Sequence, residues 1–295
     1  MKRAIAILAA VVAWVALLRA GLLAVEAGLP DVGDLARHAP RETALMRQRR
    51  AEAARHGRSY RVDQRWVPYE SISPLLRRAV LIAEDDAFYS HGGLDWNEIR
   101  ASASRNLERG RVVRGGSMIT QQLAKNLYLA DERTLTRKLK EVLLAIRLER
   151  ALSKRRIFEL YLNLIEWGDG IYGIEAAARR SFGVPAAALD ARQAVRLAAV
   201  IINPRRFSPV QPAPRIERRA RMIASRMLRR SYLSLEQYRE VVGPARRPGL
   251  LESWFGPRPE SLPPAAPPPP SPAPAESPRS APDSLTPGSA PPPGR

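Results

Sequence analysis

The chain has 295 residues, of which 45% are hydrophobic, so it can form at least one sizeable folded core. Its formal net charge of +19 predicts a polyanionic partner: nucleic acid, an anionic membrane surface or a phosphate-bearing substrate. The lack of cysteine excludes disulfides and thiolate metal sites, although it fits any compartment.

An apolar run opens the chain. Lys2 and Arg3 precede an unbroken apolar stretch over residues 4–18, and apolar residues resume after Arg19. About 20 apolar residues span a bilayer, and positive charge ahead of them places the N-terminus in the cytoplasm. We therefore predict an uncleaved transmembrane anchor over residues 1–28. A cleaved signal peptide is the alternative, and in both cases the remainder of the chain is exported.

Composition divides the remainder into three parts. Residues 29–59 are polar and arginine-rich, which is typical of a juxtamembrane stalk. Residues 256–295 are dense in proline and are predicted to be disordered or polyproline II, serving as a spacer or a partner-binding tail. The predicted folded domain lies between them, over residues 60–240.

The central part shows mainly helical patterns. Ser73 and Pro74 are typical of a helix start, and the helix is predicted to continue to the paired glycines at 92–93. Ser153 and Asp190 can cap two later helices. A basic helix carries an apolar face of Leu139, Val142, Leu143 and Ile146, and another carries Ile216, Met222, Ile223 and Met227. The best strand candidate is Tyr60 to Val67.

Glu84 is the first candidate for chemistry. It closes an apolar run, and on a continuous helix it shares a face with Phe88 and His91. A carboxylate beside an aromatic ring is partly desolvated, which suits it to proton transfer. The alternative is a solvated acidic helix end, with His91 as a structural hydrogen-bonding residue.

Glu141 is the second candidate. It lies one turn after Arg137, so an ordinary ion pair is the simpler interpretation. Two carboxylates at one cleft, however, are expected for chemistry at an anomeric carbon. Cations that could hold a phosphate leaving group are close in sequence: Lys125, Arg133, Arg137 and Lys138. A basic surface that only binds lipid headgroups remains an alternative.

The stretch "GGSMITQQLAKN", residues 115–126, has the composition of a cleft wall. Its glycines permit close backbone approach, and Ser117 can cap or bind. Gln121 and Gln122 offer neutral donors and acceptors suited to sugar hydroxyls and amides, and Lys125 adds a charge one turn later.

These segments resemble the bacterial peptidoglycan glycosyltransferases, the lysozyme-like family 51 enzymes, over roughly residues 60 to 235. Five blocks match in order: "EDDAFYSHGG" from Glu84, "GGSMITQQLAKN" from Gly115, "RKLKE" from Arg137, "KRRIFELYLN" from Lys154 and "GIYGIEAAARRSFG" from Gly170. The segment "LNLIEWGDGIYGIEAAA" is similar to the monofunctional, biosynthetic branch. The residues after Ser231 are too few for the transpeptidase domain of the bifunctional relatives.

The resemblance implies a mainly α, lysozyme-like domain with a small membrane-proximal jaw subdomain near residues 95–115, preceded by one transmembrane helix. It implies that Glu84 is the general base and that Glu141 assists the leaving group, directly or as ligand of a divalent metal such as Mg²⁺ or Mn²⁺. No organic cofactor is implied. Glu159 in the fourth block is expected to be structural.

The remaining roles are implied in the same way. The residues expected to bind substrate or pyrophosphate are Lys125, Arg133, Lys140, Ser117, Gln121, Gln122 and Asn126. The residues expected to support the site are Asp85, Phe88, His91, Arg137 and Lys138. Two positions depart from the family pattern, with Met118 in place of threonine and Ser181 in place of an aromatic residue, and Met118 is expected to affect efficiency.

The implied activity is polymerisation of lipid II into β-1,4 glycan strands with inversion and release of undecaprenyl pyrophosphate. The implied location is the bacterial inner membrane, with one membrane pass and a periplasmic catalytic domain. Lipid II, the growing strand, the membrane and other wall-synthesis proteins are the expected partners, and nucleic acid is not. A lytic enzyme on the same scaffold and a non-catalytic scaffold protein are the alternatives.

Overall fold

The computed structural model describes residues 2–93, 118–129 and 135–243, the side chain of Leu135 excepted, and this part of the chain is mainly helical, as predicted. Its α-helices are α1 (Lys2–Ala27), α2 (Ala44–Arg55), α3 (Pro74–Glu84), α4 (Ile119–Tyr128), α5 (Leu135–Ala151), α6 (Lys154–Leu164), α7 (Ile174–Phe182), α8 (Ala191–Val200), α9 (Pro214–Arg229) and α10 (Leu235–Val242). The predicted jaw subdomain and proline-rich tail lie outside the described residues.

Helix α1 has 26 residues and is long and apolar enough to cross a membrane. The chain joins the folded core directly after it, since Leu29, Val32 and Leu35 are buried there. Arg147 of α5 donates to the carbonyl oxygens of Glu26 and Leu29, the latter at 3.1 Å. The segment predicted as a stalk is therefore packed on the domain from its first residues. Although this segment is polar in composition, its apolar residues Leu29, Val32 and Leu35 recur every three residues and form one buried face.

Two groups of helices form the body of the domain. Helix α3 packs against α8 and α9, while α4 packs against α2, α5 and α6. Ser153 and Asp190 cap α6 and α8 as predicted, each accepting a backbone N–H from three residues further on. Ser73 does precede α3, with Pro74 in its first turn. Its hydroxyl, however, donates to the carbonyl oxygen of Leu189 at 3.0 Å instead of capping the helix.

A small sheet joins the start of the domain to its middle. Strand β1 (Asp63–Gln64) runs parallel to β3 (Ile171–Tyr172), which is antiparallel to β2 (Glu166–Gly168). The strand predicted over residues 60–67 is thus confirmed at two residues only. The β2–β3 hairpin was not predicted, because strands this short show no alternation. Its turn requires glycine: Gly170 has φ +74°, and a Cβ there would lie 2.5 Å from the carbonyl oxygen of Arg61.

The buried face of α5 differs from the predicted one. Leu139 is 37% exposed, and the other three predicted face residues are half-buried. The buried residues are Glu141, Leu144, Ala145 and Leu148. Apolar residues cover more than half of this helix, so its packing against α4 and α6 decides which side is buried. That choice turns a carboxylate, Glu141, towards the interior.

Candidate active site

Glu84 is the last residue of α3, and the helix does not continue to the paired glycines as predicted. Asp85 has extended backbone angles, and Phe88 lies in a separate short 3-10 turn. The prediction that Glu84, Phe88 and His91 share one helical face is therefore wrong. The chain leaves the helix at Asp85 because its carboxylate has hydrogen-bond partners elsewhere in the fold.

Those partners are His91 and the start of α4. One Asp85 oxygen accepts from Nε2 of His91 at 2.9 Å, and the other accepts the backbone N–H of Ile119 at 3.1 Å. His91 Nδ1 in turn accepts the backbone N–H of Gly93 at 3.1 Å, so Nε2 is the ring nitrogen that donates to Asp85. Asp85 and His91 thus join the end of α3 to the beginning of α4, while Phe88 is fully buried beside them.

The Glu84 carboxylate is held from two other helices. Arg219 of α9 donates from Nη2 to Oε1 of Glu84 at 2.7 Å, and Gln122 of α4 donates from Nε2 to Oε2 at 3.0 Å. The Glu84 side chain is only 12% exposed. A buried carboxylate needs such donors to remain ionised, and here each oxygen has one.

Tyr161 of α6 orients the Gln122 amide. Its hydroxyl donates to Oε1 of Gln122 at 3.0 Å, so the amide nitrogen faces Glu84, which as a carboxylate can only accept. Burial raises the pKa of Tyr161 well above its ordinary value, and the negative charge of Glu84 acts in the same direction. Tyr161 therefore remains a donor, and a chain of contacts runs from Tyr161 through Gln122 and Glu84 to Arg219.

Glu141 is also a buried carboxylate with two cationic donors. Arg137 donates to Oε2 at 2.8 Å, and Lys138 donates to Oε1. The simple ion pair with Arg137 is therefore present. Lys138 also donates to Oε1 of Gln121 at 3.2 Å. The adjacent amides of α4 thus contact different partners: Gln121 reaches the Glu141 cluster, and Gln122 reaches Glu84.

A cavity of about 290 Å³ lies beside α4. Three residues of the predicted substrate set line it, namely Gln122, Lys125 and Asn126, and Glu166 of β2 lines it as well. Polar and apolar residues line it in similar proportion, and it adjoins the Glu84 contact chain through Gln122. Of the other predicted binding residues, Lys140 is exposed on α5, whereas Ser117 and Arg133 lie outside the described residues.

Glu166 forms a second buried charged cluster that sequence reasoning missed. Arg49 of α2 donates to its Oε2 from Nε at 3.3 Å and from Nη2 at 3.2 Å, and the Tyr60 hydroxyl donates to Oε1 at 3.4 Å. Burial nevertheless raises the pKa of Glu166, because desolvation outweighs the attraction of Arg49. Burial alone would lower the pKa of Arg49, but the charges and hydrogen bonds of Glu166 and Glu52 outweigh it and raise that pKa, so the guanidinium stays charged.

Among the described residues, the donor set for the predicted metal role of Glu141 is incomplete. Within residues 2–93, 118–129 and 135–243, no three His, Asp or Glu side chains are grouped in a way that could hold a metal ion. Two cations already contact the Glu141 carboxylate, which disfavours a third. The described residues at Glu141 therefore do not fit a metal site.

Arg219 and Tyr161 were missed for different reasons. Tyr161 lies within the fourth matched block, where its spacing is equally typical of a core residue. Arg219 lies in "PRIERRARMIASRMLRR", where it is one arginine among several. A helical projection could have found it, since Arg219 follows the buried Ile216 by three residues and precedes the buried Ile223 by four.

Comparison with known proteins agrees with the resemblance seen in the sequence. Residues 51–228 match the family model described as Transglycosylase. The chain is 46% identical over 188 residues to a biosynthetic peptidoglycan transglycosylase of Nitrosomonas eutropha, covering 64% of this chain and 77% of that protein.

Proteins of the same name from two further bacteria are equally similar. The one from Chromobacterium violaceum is 44% identical over 190 residues, covering 64% of this chain and 83% of its own length. The one from Laribacter hongkongensis is 46% identical over 188 residues, covering 64% and 82%. The chain therefore belongs to the transglycosylase family, and it is a glycosyltransferase of peptidoglycan synthesis.

Proposed function

We propose that the protein polymerises lipid II into linear β-1,4 glycan strands, with Glu84 as the general base. The observation that carries the proposal is the Glu84 carboxylate, which is nearly buried and accepts hydrogen bonds from Arg219 and Gln122, two donors that favour its ionised form. A base must be unprotonated and fixed in place before its substrate arrives, and this arrangement supplies both conditions.

In the proposed reaction Glu84 takes the proton from the 4-hydroxyl of the acceptor N-acetylglucosamine. The oxygen attacks the anomeric carbon of the donor, the bond to the pyrophosphate breaks, and the α configuration inverts to β. A carboxylate oxygen accepts more than one hydrogen bond, so the hydroxyl can bind while Arg219 and Gln122 stay in contact. The proton remains on Glu84 until solvent removes it.

The leaving group is undecaprenyl pyrophosphate, whose charge calls for cations. We assign Lys125, which lines the cavity beside α4, and Lys140, which is exposed on α5, to this role together with Arg133. Glu141 keeps Arg137 and Lys138 at the same end of α5. Its part in this proposal is to organise these cations, and no metal is required for it.

We further propose that residues 1–28 anchor residues 60–240 to the inner membrane, with the catalytic domain on the periplasmic side. Helix α1 is apolar enough to span a bilayer, and it begins with two positive charges, Lys2 and Arg3, ahead of its apolar run. The positive charge of the chain then faces anionic lipid and pyrophosphate, and no nucleic acid is involved. Proteins of wall synthesis or division are candidate partners of the tail.

Polymerisation of labelled lipid II by the full chain in detergent tests the proposal. The comparison is wild type, Glu84→Gln and the control Glu236→Gln, which alters an exposed glutamate of α10. We expect polymer from wild type and control and none from Glu84→Gln. Fragments released from preformed glycan would indicate a lytic enzyme, and lipid II binding without polymer in the wild type would indicate a scaffold.

A further inference from the structure

Arg219 differs from most other arginines of its helix in where its side chain lies. Arg215, Arg218 and Arg221 are exposed, whereas the Arg219 side chain is 10% exposed. It lies at the edge of the buried face of α9, so the packing that buries that face also directs its guanidinium inward. The position is therefore built into the core.

The contacts of Arg219 tie it to the end of α3 at two points. Nη2 donates to Oε1 of Glu84 at 2.7 Å and to the carbonyl oxygen of Ala83 at 3.0 Å. The second bond satisfies one of the last carbonyls of α3, which lack a partner within the helix. The guanidinium thus fixes both the backbone that carries Glu84 and one oxygen of its carboxylate.

We propose that Arg219 is a positioning residue for Glu84, holding its carboxylate ionised and oriented for proton abstraction. The proposal rests on the proposed function and extends it to α9. In the step itself the proton passes from the acceptor hydroxyl to Glu84, and Arg219 stays protonated throughout. Its charge favours the ionised carboxylate before the step, and its second bond keeps the helix end from shifting.

Charged and titratable groups approach Glu84 from other helices and from the next residues of the chain, where Asp86 pairs with Arg230. Arg219 lies on α9 and Tyr161 on α6, while Asp85 follows Glu84 in the chain and is itself bonded to His91. Of these groups, Arg219 supplies a positive charge 2.7 Å from Oε1 of Glu84. Removal of the Arg219 charge is therefore expected to make protonation of Glu84 easier.

The test is the pH dependence of lipid II polymerisation by the full chain, for wild type, Arg219→Gln, Arg219→Lys and the control Arg218→Gln. We expect Arg219→Gln to lower kcat at least about tenfold and to move the acid limb of the profile about one unit towards higher pH. Arg219→Lys keeps the positive charge but loses the planar guanidinium that contacts both Glu84 and the carbonyl oxygen of Ala83. We therefore expect kcat to fall with little change in KM or in the acid limb of the pH profile. Arg218→Gln should match wild type.

An unmoved acid limb in Arg219→Gln would overturn the proposal, whether kcat is unchanged or falls equally at every pH. A rise in KM at constant kcat would overturn it as well, because it assigns Arg219 to substrate binding. If Arg219→Gln does not fold, Arg219→Lys decides, and wild-type kcat in that variant contradicts the orienting role. Loss of polymer in wild type itself would instead contradict the proposed function.

Discussion

Two carboxylates of the candidate site, Glu84 and Glu141, differ in where along the chain their hydrogen-bond partners lie. Both are largely buried and both contact cations. The partners of Glu141, Arg137 and Lys138, lie on its own helix, four and three residues away. The partners of Glu84 come from α4 and α9, 38 and 135 residues along the chain.

This difference separates local from tertiary organisation. The Glu141 cluster needs only a helix, because side chains three and four residues apart are neighbours on its surface. The Glu84 arrangement exists only when α3, α4, α6 and α9 are assembled. A base positioned by the whole fold is sensitive to changes far along the chain, whereas a local ion-pair cluster is not.

The largest effect is expected from removing the two carboxylates in turn. Glu84→Gln should lower kcat by about 10²-fold or more, because it removes the proposed base. Glu141→Gln should lower kcat less, about tenfold, because Arg137 and Lys138 remain on the helix. Single-turnover rates with saturating lipid II measure both. Equal losses in the two variants would show that the carboxylates act as one unit.

Tyr161→Phe tests the contacts that hold Glu84 from other helices, because Tyr161 begins the chain of contacts that reaches Glu84 through Gln122. The change removes the donor to Gln122 and leaves the buried ring in place, so the amide loses its fixed orientation towards Glu84. Loss of one buried hydrogen bond costs about 1–3 kcal/mol, and kcat should fall about tenfold if about 1.4 kcal/mol of this acts on the base.

The control for that change is Tyr238→Phe on α10, whose hydroxyl lies 3.4 Å from that of Ser225. Kinetics and thermal unfolding are measured on both variants. Wild-type kcat in Tyr161→Phe, at equal stability, would show that the Gln122 amide needs no orienting donor.

The sequence predicted the local features of this protein well. The helical caps at Ser153 and Asp190 and the Arg137–Glu141 pair depend on neighbours within four residues, and all are present. The matched blocks also led to the family. Such features follow from short-range geometry that spacing alone reveals.

The sequence predicted poorly where tertiary contacts decide. The break of α3 at Asp85 depends on His91 and Ile119, and periodicity carries no sign of these contacts. The buried side of α5 depends on which neighbour it packs against. Arg219 was hidden among other arginines, because only the packing of α9 distinguishes it from them.

A smaller, pH-dependent effect is expected at Glu166 and Glu52, which share Arg49. Burial raises the pKa of Glu166 above its ordinary value of 4.5, so its folded form binds a proton more readily than its unfolded form. Stability from this group is therefore present below pH 4.5 and is lost as pH rises through the folded-state pKa. Glu166→Gln should gain stability relative to wild type over that rise.

Glu52 gives the opposite sign. A hydrogen bond from Arg49 lowers its pKa, so its contribution is present above the ordinary value of 4.5 and is lost as pH falls through the folded-state pKa. Thermal unfolding of wild type, Glu166→Gln and Glu52→Gln across this range measures both trends. If stability changes with pH in the same direction in the two variants, the attraction of Arg49 determines the pKa of both carboxylates, and burial does not dominate the pKa of Glu166.

The smallest effect is expected at Met118, the residue before α4. Its side chain is buried and makes no capping bond, and Asp85 accepts the N–H of Ile119 in its place. Met118→Thr adds a capping acceptor worth about 1 kcal/mol but removes buried apolar surface worth about 1.5–3 kcal/mol. The net loss of stability should be about 1 kcal/mol, and kcat should change less than about twofold.

Met46→Thr is the matched control, because Met46 is buried inside α2, where threonine has no capping position to fill. It should cost more stability than Met118→Thr, as measured by chemical unfolding. A rise of several-fold in the kcat of Met118→Thr would show that the missing threonine limits the cleft wall, as the sequence suggested. An unchanged kcat would mean that a capping side chain at residue 118 is not needed, because Asp85, which is fixed by tertiary contacts, already accepts the backbone N–H of Ile119.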